Sequence, residues 1–525
     1  LKHYIVIAFL LAGLCMSSLQ AQNIEQLEII RADELAGGVI NQVETRILRG
    51  NVIVKHKGMT LYCDSAYQYL QSNTIDVFGH AKLINADGAT VTSQKMFYDG
   101  NSRLAKAIQN VVLVDQGKTL TTDELDYDMV GKIVQYYAGG KIVDPENVLT
   151  SQTGTYDVNS KIYYFTRDVV LVSKKDGERI ETDDLKYNTV SNMAYFTGPT
   201  KITTKDGAIL TATQGTYNTK TKIANFKGRP QVEDKKYILI GDSLHYDDLK
   251  EEGFATGDTW LFSKEDSVIV EGDVSQFWGK EGRSLVYGNC LMKQISDGDT
   301  LYLKSDTLFS MNNDETEEKY LLAYPKVRIY RNDMQGICDS LVYNRADSML
   351  YFYRQPILWN EKRQMSADSI QLQMANGKVS RVYLKQRSFV ITQDTLLNFN
   401  QLKGKYITSY LEDNKIRQIH VEGNSESLYF LLGDGDSTLK AIDKALCARS
   451  VFLFEEVLKA DSTLENKLKY VKRYNEIEAK IIPPHEIEPP LRKLKDFRWV
   501  EADRPKRLEM IYRITPSLAA GRTDP

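Results

Sequence analysis

An aspartate recurs along this chain at nearly constant spacing: Asp64, Asp123, Asp183, Asp242, Asp273, Asp306, Asp339 and Asp368. Carboxylates at fixed separation can do two kinds of chemistry. Two of them flanking a sugar can hydrolyse a glycosidic bond, one as acid and one as base or nucleophile. A cluster of them can hold calcium, but the glycine pattern of calcium-binding β-repeats is missing here. An Asp that returns at one position in unit after unit suits a structural task instead, satisfying backbone or hydroxyl groups at a turn or sheet edge. Other reactive residues are thin. There are six His, and no HExxH, GxSxG or phosphate-cradling glycine loop occurs. Cys63, Cys290, Cys338 and Cys447 are widely spaced with no CxxC, which argues against a zinc or redox site. No enzyme is expected, and no cofactor or metal.

The Asp column belongs to a repeat. It can be followed through eleven units as Asp64, Gln94, Asp123, Gln152, Asp183, Thr213, Asp242, Asp273, Asp306, Asp339 and Asp368, at steps of 29 to 33 residues. The residue before it is always small, from Cys63 and Ser93 to Cys338 and Ala367. Four residues after it stands Gln68, Tyr98, Tyr127, Tyr156, Tyr187, Tyr217, Tyr246, Phe277, Ser310, Tyr343 or Leu372. Eight of these eleven are aromatic, which accounts for part of an unusual total of 31 Tyr.

These columns must be positioned by strands. Successive strand side chains point to opposite faces, so Asp339, Leu341 and Tyr343 are expected on one face and Cys338, Ser340 and Val342 on the other. A β-branched run precedes each such strand, as in Asn110–Val114 and Asp168–Val172. Asp87-Gly88, Asp176-Gly177 and Asp206-Gly207 lie between the two and read as hairpin turns. No helical periodicity runs through residues 40–435. A parallel β-helix has coils of similar length, but the hairpin turns favour antiparallel pairing. Two such sheets either close on each other as a filled sandwich or splay around an apolar trough.

Residues 1–21 read as a secretory signal: Lys2 and His3, an apolar run from Tyr4 to Met16, then a cleavage zone ending at Ala21. Leu14 before Cys15 departs from the small residue a lipidation signal wants. Net charge is −3 with both signs dispersed, so no basic stripe suggests nucleic acid.

Gly-Asn-Val-like strand starts alternating with Ala/Thr-Asp-x-Leu-x-Tyr-Asn/Asp strands resemble the OstA-like family over residues 27–435. These are organic-solvent-tolerance and lipopolysaccharide-transport β-jellyroll proteins of the periplasm. Phe399–Lys405, Val421–Asn424, Leu494–Trp499 and Arg504–Lys506 are similar to the closing segments of long Bacteroidetes-type members. The resemblance implies an elongated, V-shaped pair of antiparallel sheets built of tandem OstA-like repeats. It also implies a groove for the acyl chains of a lipopolysaccharide-type lipid, and other jellyroll proteins as partners by edge-strand pairing, an outer-membrane barrel protein among them. Only about 90 residues follow Gly435, too few for such a barrel, so this chain resembles the periplasmic bridge portion.

Residues 436–495 are expected to add strands, with a short helix allowed near 458–475, and residues 496–525 to form an extended or disordered tail. The expected groove lining is the Leu/Tyr face of the units with the plainest pattern: Leu125, Tyr127, Leu185, Tyr187, Leu244, Tyr246, Leu341 and Tyr343. The bland alternative makes the Tyr column an aromatic ladder that only stabilises the sheet. The protein would then be a structural or adhesive exported array without lipid cargo.

Overall fold

The structure, a computed structural model, describes residues 25–513 except 297, 314–316, 376–377, 414, 434–437 and 459–463. The expected signal segment and the last twelve residues lie outside the described residues. Among those described, the chain forms forty β-strands and short helical turns confined to residues 484–510. The fold class is all-β, antiparallel, of the β-jellyroll repeat type. The chain divides into two compact units, one ending at Lys205 and the other beginning at Asp206.

The strand Lys118–Asp128 of the first unit shows how a repeat is built. Leu120, Thr122, Leu125 and Tyr127 are buried, whereas Asp123 is exposed. Strict alternation would have put Asp123 on the Leu/Tyr face, so that expectation is corrected. The cause lies in the neighbouring strand, Leu104–Asp115. It pairs Ile108 with Glu124 and Val111 with Thr122, leaving Gln109 and Asn110 opposite Asp123. Both residues have left-handed backbone, φ 68° and 52°. This bulge bends the strand pair and re-aims its side chains, so residues on both sides of the corner face inward.

The same left-handed pair recurs at Gly50-Asn51, Gly79-His80, Arg167-Asp168, Gly228-Arg229, Gly257-Asp258, Gly288-Asn289, Arg354-Gln355, Gln386-Arg387 and Gly423-Asn424. Gly and Asn adopt this conformation at least cost, which explains their frequency at these places. At the far strand ends, Asp99, Asp128, Asp157, Asn188 and Asn218 accept N–H groups two and three residues ahead through Oδ1. These local turns reverse the chain. Gly88, Gly177 and Gly207 of the Asp-Gly pairs have φ of 90°, 74° and 87°, as hairpin turns require.

In the second unit, Leu439–Leu458 pairs with Leu464–Tyr474 from Arg449–Tyr474 to Leu458–Leu464. Residues 464–474 are therefore strand, not helix. Pairing along a sheet overrides the weak helical preference of their Lys, Glu and Leu. From Pro484 onward the chain leaves the ladder and runs as a strap across the sheet. Leu494 docks on Phe389, Ile391, Leu428, Phe430 and Ile442. Gln401 accepts from Leu494 N and donates to Arg492 O, and Gln364 accepts from Val500 N and donates to Arg498 O, at 2.7–2.8 Å. Gln335 Oε1 accepts from Nε and Nη2 of Arg504. Residues 496–513, read from sequence as a tail, are held by these and by contacts of Arg513 with Asp258, Asp273 and the Asn289 carbonyl.

Candidate binding groove

The Asp column is part of the corners. A Cβ on Gly79, Gly257 or Gly288 would lie 2.3–2.4 Å from a carboxylate oxygen of Asp64, Asp242 or Asp273. Asp33 stands over Gly50 in the same way and extends the column by one unit, 31 residues before Asp64. The carboxylates also meet neighbouring side chains: Asp64 with His80 at 2.8 Å, and Asp242 and Asp339 with the guanidiniums of Arg229 and Arg354, each at 3.1 Å. Among the described residues no group of three or more His, Cys, Asp or Glu could hold a metal ion. The four cysteines are free and buried, and burial pushes the thiols of Cys63, Cys290 and Cys338 up to about 12. Such thiols stay protonated and unreactive at physiological pH.

The interior is organised by rows of directly paired residues. In the first unit one row reads Tyr98, Ala105, Tyr127, Val134, Tyr156, Tyr163, Tyr187 and Ala194. Its rings fill the interior of the unit. Tyr156 and Tyr163 stack with centroids 4.1 Å apart, and Tyr98 and Tyr127 are almost fully buried. Two cavities described there measure only about 40 and 20 Å³.

The equivalent row of the second unit reads Tyr246, Gly253, Phe277, Ser284, Ser310, Leu321, Tyr343, Leu350, Leu372 and Val382. A cavity of about 320 Å³ opens along it from Ser284 to Leu372. The opposing wall is a second row, Leu261, Val270, Met292, Leu303 and Ile329. Met334, Met374 and Val379 add to the apolar lining. Two guanidiniums also border the cavity. Arg345 is paired with Asp266 at 2.8 Å, and Arg331 is held by both oxygens of Asp333. An apolar trough with these ion pairs, Asp266 included, at its border suits an amphiphilic ligand.

Six of the eight residues singled out from sequence lie elsewhere. Leu125, Leu185 and Leu244 are buried and border none of the three cavities described. Tyr127 and Tyr187 border the two small ones. Tyr246 is buried against Phe277, with near-parallel rings. Leu341 and Tyr343 border the large cavity. The reason is volume: where the Asp-Leu-Tyr pattern is plainest, its own rings occupy the interior. Ser284, Ser310, Met292, Leu303 and Met334 were missed. The signal for them was the interruption of the aromatic column at Ser310 and Leu372.

Fold and interior together define an antiparallel β-jellyroll protein with a largely apolar cavity in its second unit. The family model described as OstA-like protein matches residues 25–177 and 175–242, so over this stretch the chain is similar to the OstA-like family. That family is one of periplasmic, lipid-transport β-jellyrolls, a binding rather than a catalytic family. No curated protein matches the chain. Most of the large groove lies beyond residue 242, in units that continue the same register. Among the described residues no helix is long and apolar enough to cross a membrane.

Proposed function

We propose that this chain is a periplasmic bridge protein that holds the acyl portion of a lipopolysaccharide-type lipid in the groove of its second unit and passes it toward the outer membrane without covalent chemistry. The carrying observation is the 320 Å³ apolar cavity, in a chain whose first 242 residues include the OstA-like match. Each methylene removed from water contributes about 0.8 kcal/mol, so about ten would contribute about 8 kcal/mol before ordering costs. Hand-over needs a partner, and the strand Glu34–Ile40 supports that reading. It pairs with Val43–Arg49 on one side and leaves Leu35 and Val39 more than 60% exposed. Such an edge can accept a strand from another jellyroll or from an outer-membrane barrel protein.

A photoreactive residue at Leu303, Leu341 or Met374 in turn, with outward Tyr287 and Tyr324 as controls, tests this against purified lipopolysaccharide. Adducts at the three groove positions and not at the controls are expected. Adducts also at Leu125 and Leu185 would extend the path into the first unit. A folded, exported protein with no groove adducts would sink the lipid reading. It would promote the structural array, which the ring-filled interior of the first unit favours for that unit.

A further inference from the structure

We infer that the Ser284–Ser310 pair opens the groove, and that the ring missing there sets how much hydrocarbon the second unit admits. The inference rests on the reading above, that the groove holds an acyl chain.

In the first unit, Ala105 lies between two rings, Tyr98 and Tyr127, so one small residue merely makes room for its neighbours. In the second unit, Gly253 lies between Tyr246 and Phe277 in the same way. Ser284 and Ser310 break this alternation. They are direct partners, so two successive positions of the row lack a large side chain. Ser310 also occupies the column that holds Tyr127, Tyr187 and Tyr246 in other units. Both serines border the cavity, and neither of the next two column positions restores the ladder fully: Tyr343 lines one wall and Leu372 has no ring. The facing wall carries Met292, with Met334 and Met374 close by. Unbranched thioether side chains change shape at little cost, so they can close on hydrocarbon of different outlines. The serine gap therefore supplies space, and the methionines adapt that space to its occupant.

Ser310→Tyr places a phenol where the column normally holds one, into volume that is already vacant, so the overpacking penalty is small. Ser310→Ala removes the hydroxyl and keeps the gap. The readout is the yield of lipopolysaccharide adduct from a photoreactive residue at Leu303, in full-length protein with matched melting temperatures. We expect S310Y to lose about tenfold or more of the yield, the amount that a binding loss of about 1.4 kcal/mol represents, and S310A to keep it. Equal yields from S310Y and the unsubstituted protein would overturn the inference while leaving the lipid reading intact. Equal losses in S310Y and S310A would also overturn it, because the hydroxyl and not the vacancy would then matter. No adduct in the unsubstituted protein would fell the lipid reading first and this inference with it. Should S310Y fail to fold, Ser284→Phe fills the same gap from the paired strand and is judged by the same outcomes.

Discussion

At single residues, the corners concentrate the constraints of this fold. Gly257 has φ 76°, and an added Cβ would lie 2.4 Å from Asp242 Oδ2. Gly88 has φ 90° but open space around the Cβ position. Gly257→Ala combines left-handed strain with a clash, whereas Gly88→Ala meets strain alone. We expect Gly257→Ala to cost about 1–3 kcal/mol and Gly88→Ala clearly less, read as the difference in urea midpoints. A second residue-scale prediction concerns His56, which is buried with Nδ1 2.9 Å from Tyr98 Oη and Nε2 2.9 Å from Glu25 O. A carbonyl can only accept, so Nε2 carries the proton and Nδ1 accepts from the phenol. Burial lowers the His56 pKa below its ordinary value of 6.5. The unfolded chain thus binds the proton more readily, and stability present above 6.5 is lost as pH falls through the folded value. The protection factors for hydrogen exchange at residues 25–28, taken against the intrinsic rate at each pH, should fall on acidification below pH 6.5, and His56→Gln should flatten that dependence. An unchanged pH profile in the variant would count against this assignment.

At the level of elements, the strap is the part least like the repeat. It crosses the sheet on the face that carries Gln335, Trp359, Gln364, Ile391, Gln401 and Leu428, which are paired in that order. All six are buried. A glutamine offers one acceptor and one donor group in fixed relation, so it satisfies both backbone groups of an extended segment. Gln364→Leu keeps the bulk and leaves Val500 N and Arg498 O without that partner. We expect a loss of about 1–3 kcal/mol, and faster proteolysis between residues 484 and 513 with the repeat strands still protected. Uniform loss of protection would show that the strap is integral to the whole second unit rather than a locally detachable element.

For the molecule as a whole, the two units use one repeat for two interiors. The first is packed with tyrosine rings, and the second keeps a trough beside Arg331 and Arg345. If cargo binds where the volume is, lipopolysaccharide should slow hydrogen exchange in strands between residues 260 and 380. It should leave the strands between 90 and 200 unchanged. Protection spread evenly over both units would mean that the filled interior opens to admit lipid.

The amino-acid sequence alone determined the repeat, its β character, its hairpin turns and its small and aromatic columns. These depend on interactions within a few residues: alternation along a strand, Asp-Gly turns, Asn and Asp capping their own chain reversal. Tertiary structure decided what no single unit contains. Asp123 faces outward because Gln109 and Asn110, on the adjacent strand, form the bulge opposite it. The strap is placed by bonds between residues 91 to 255 positions apart. The groove is a sum over rows of side chains drawn from strands many residues apart. A ring that marks the repeat most plainly in sequence also fills the space it borders. The vacancy therefore appears where the pattern lapses, at Ser284 and Ser310.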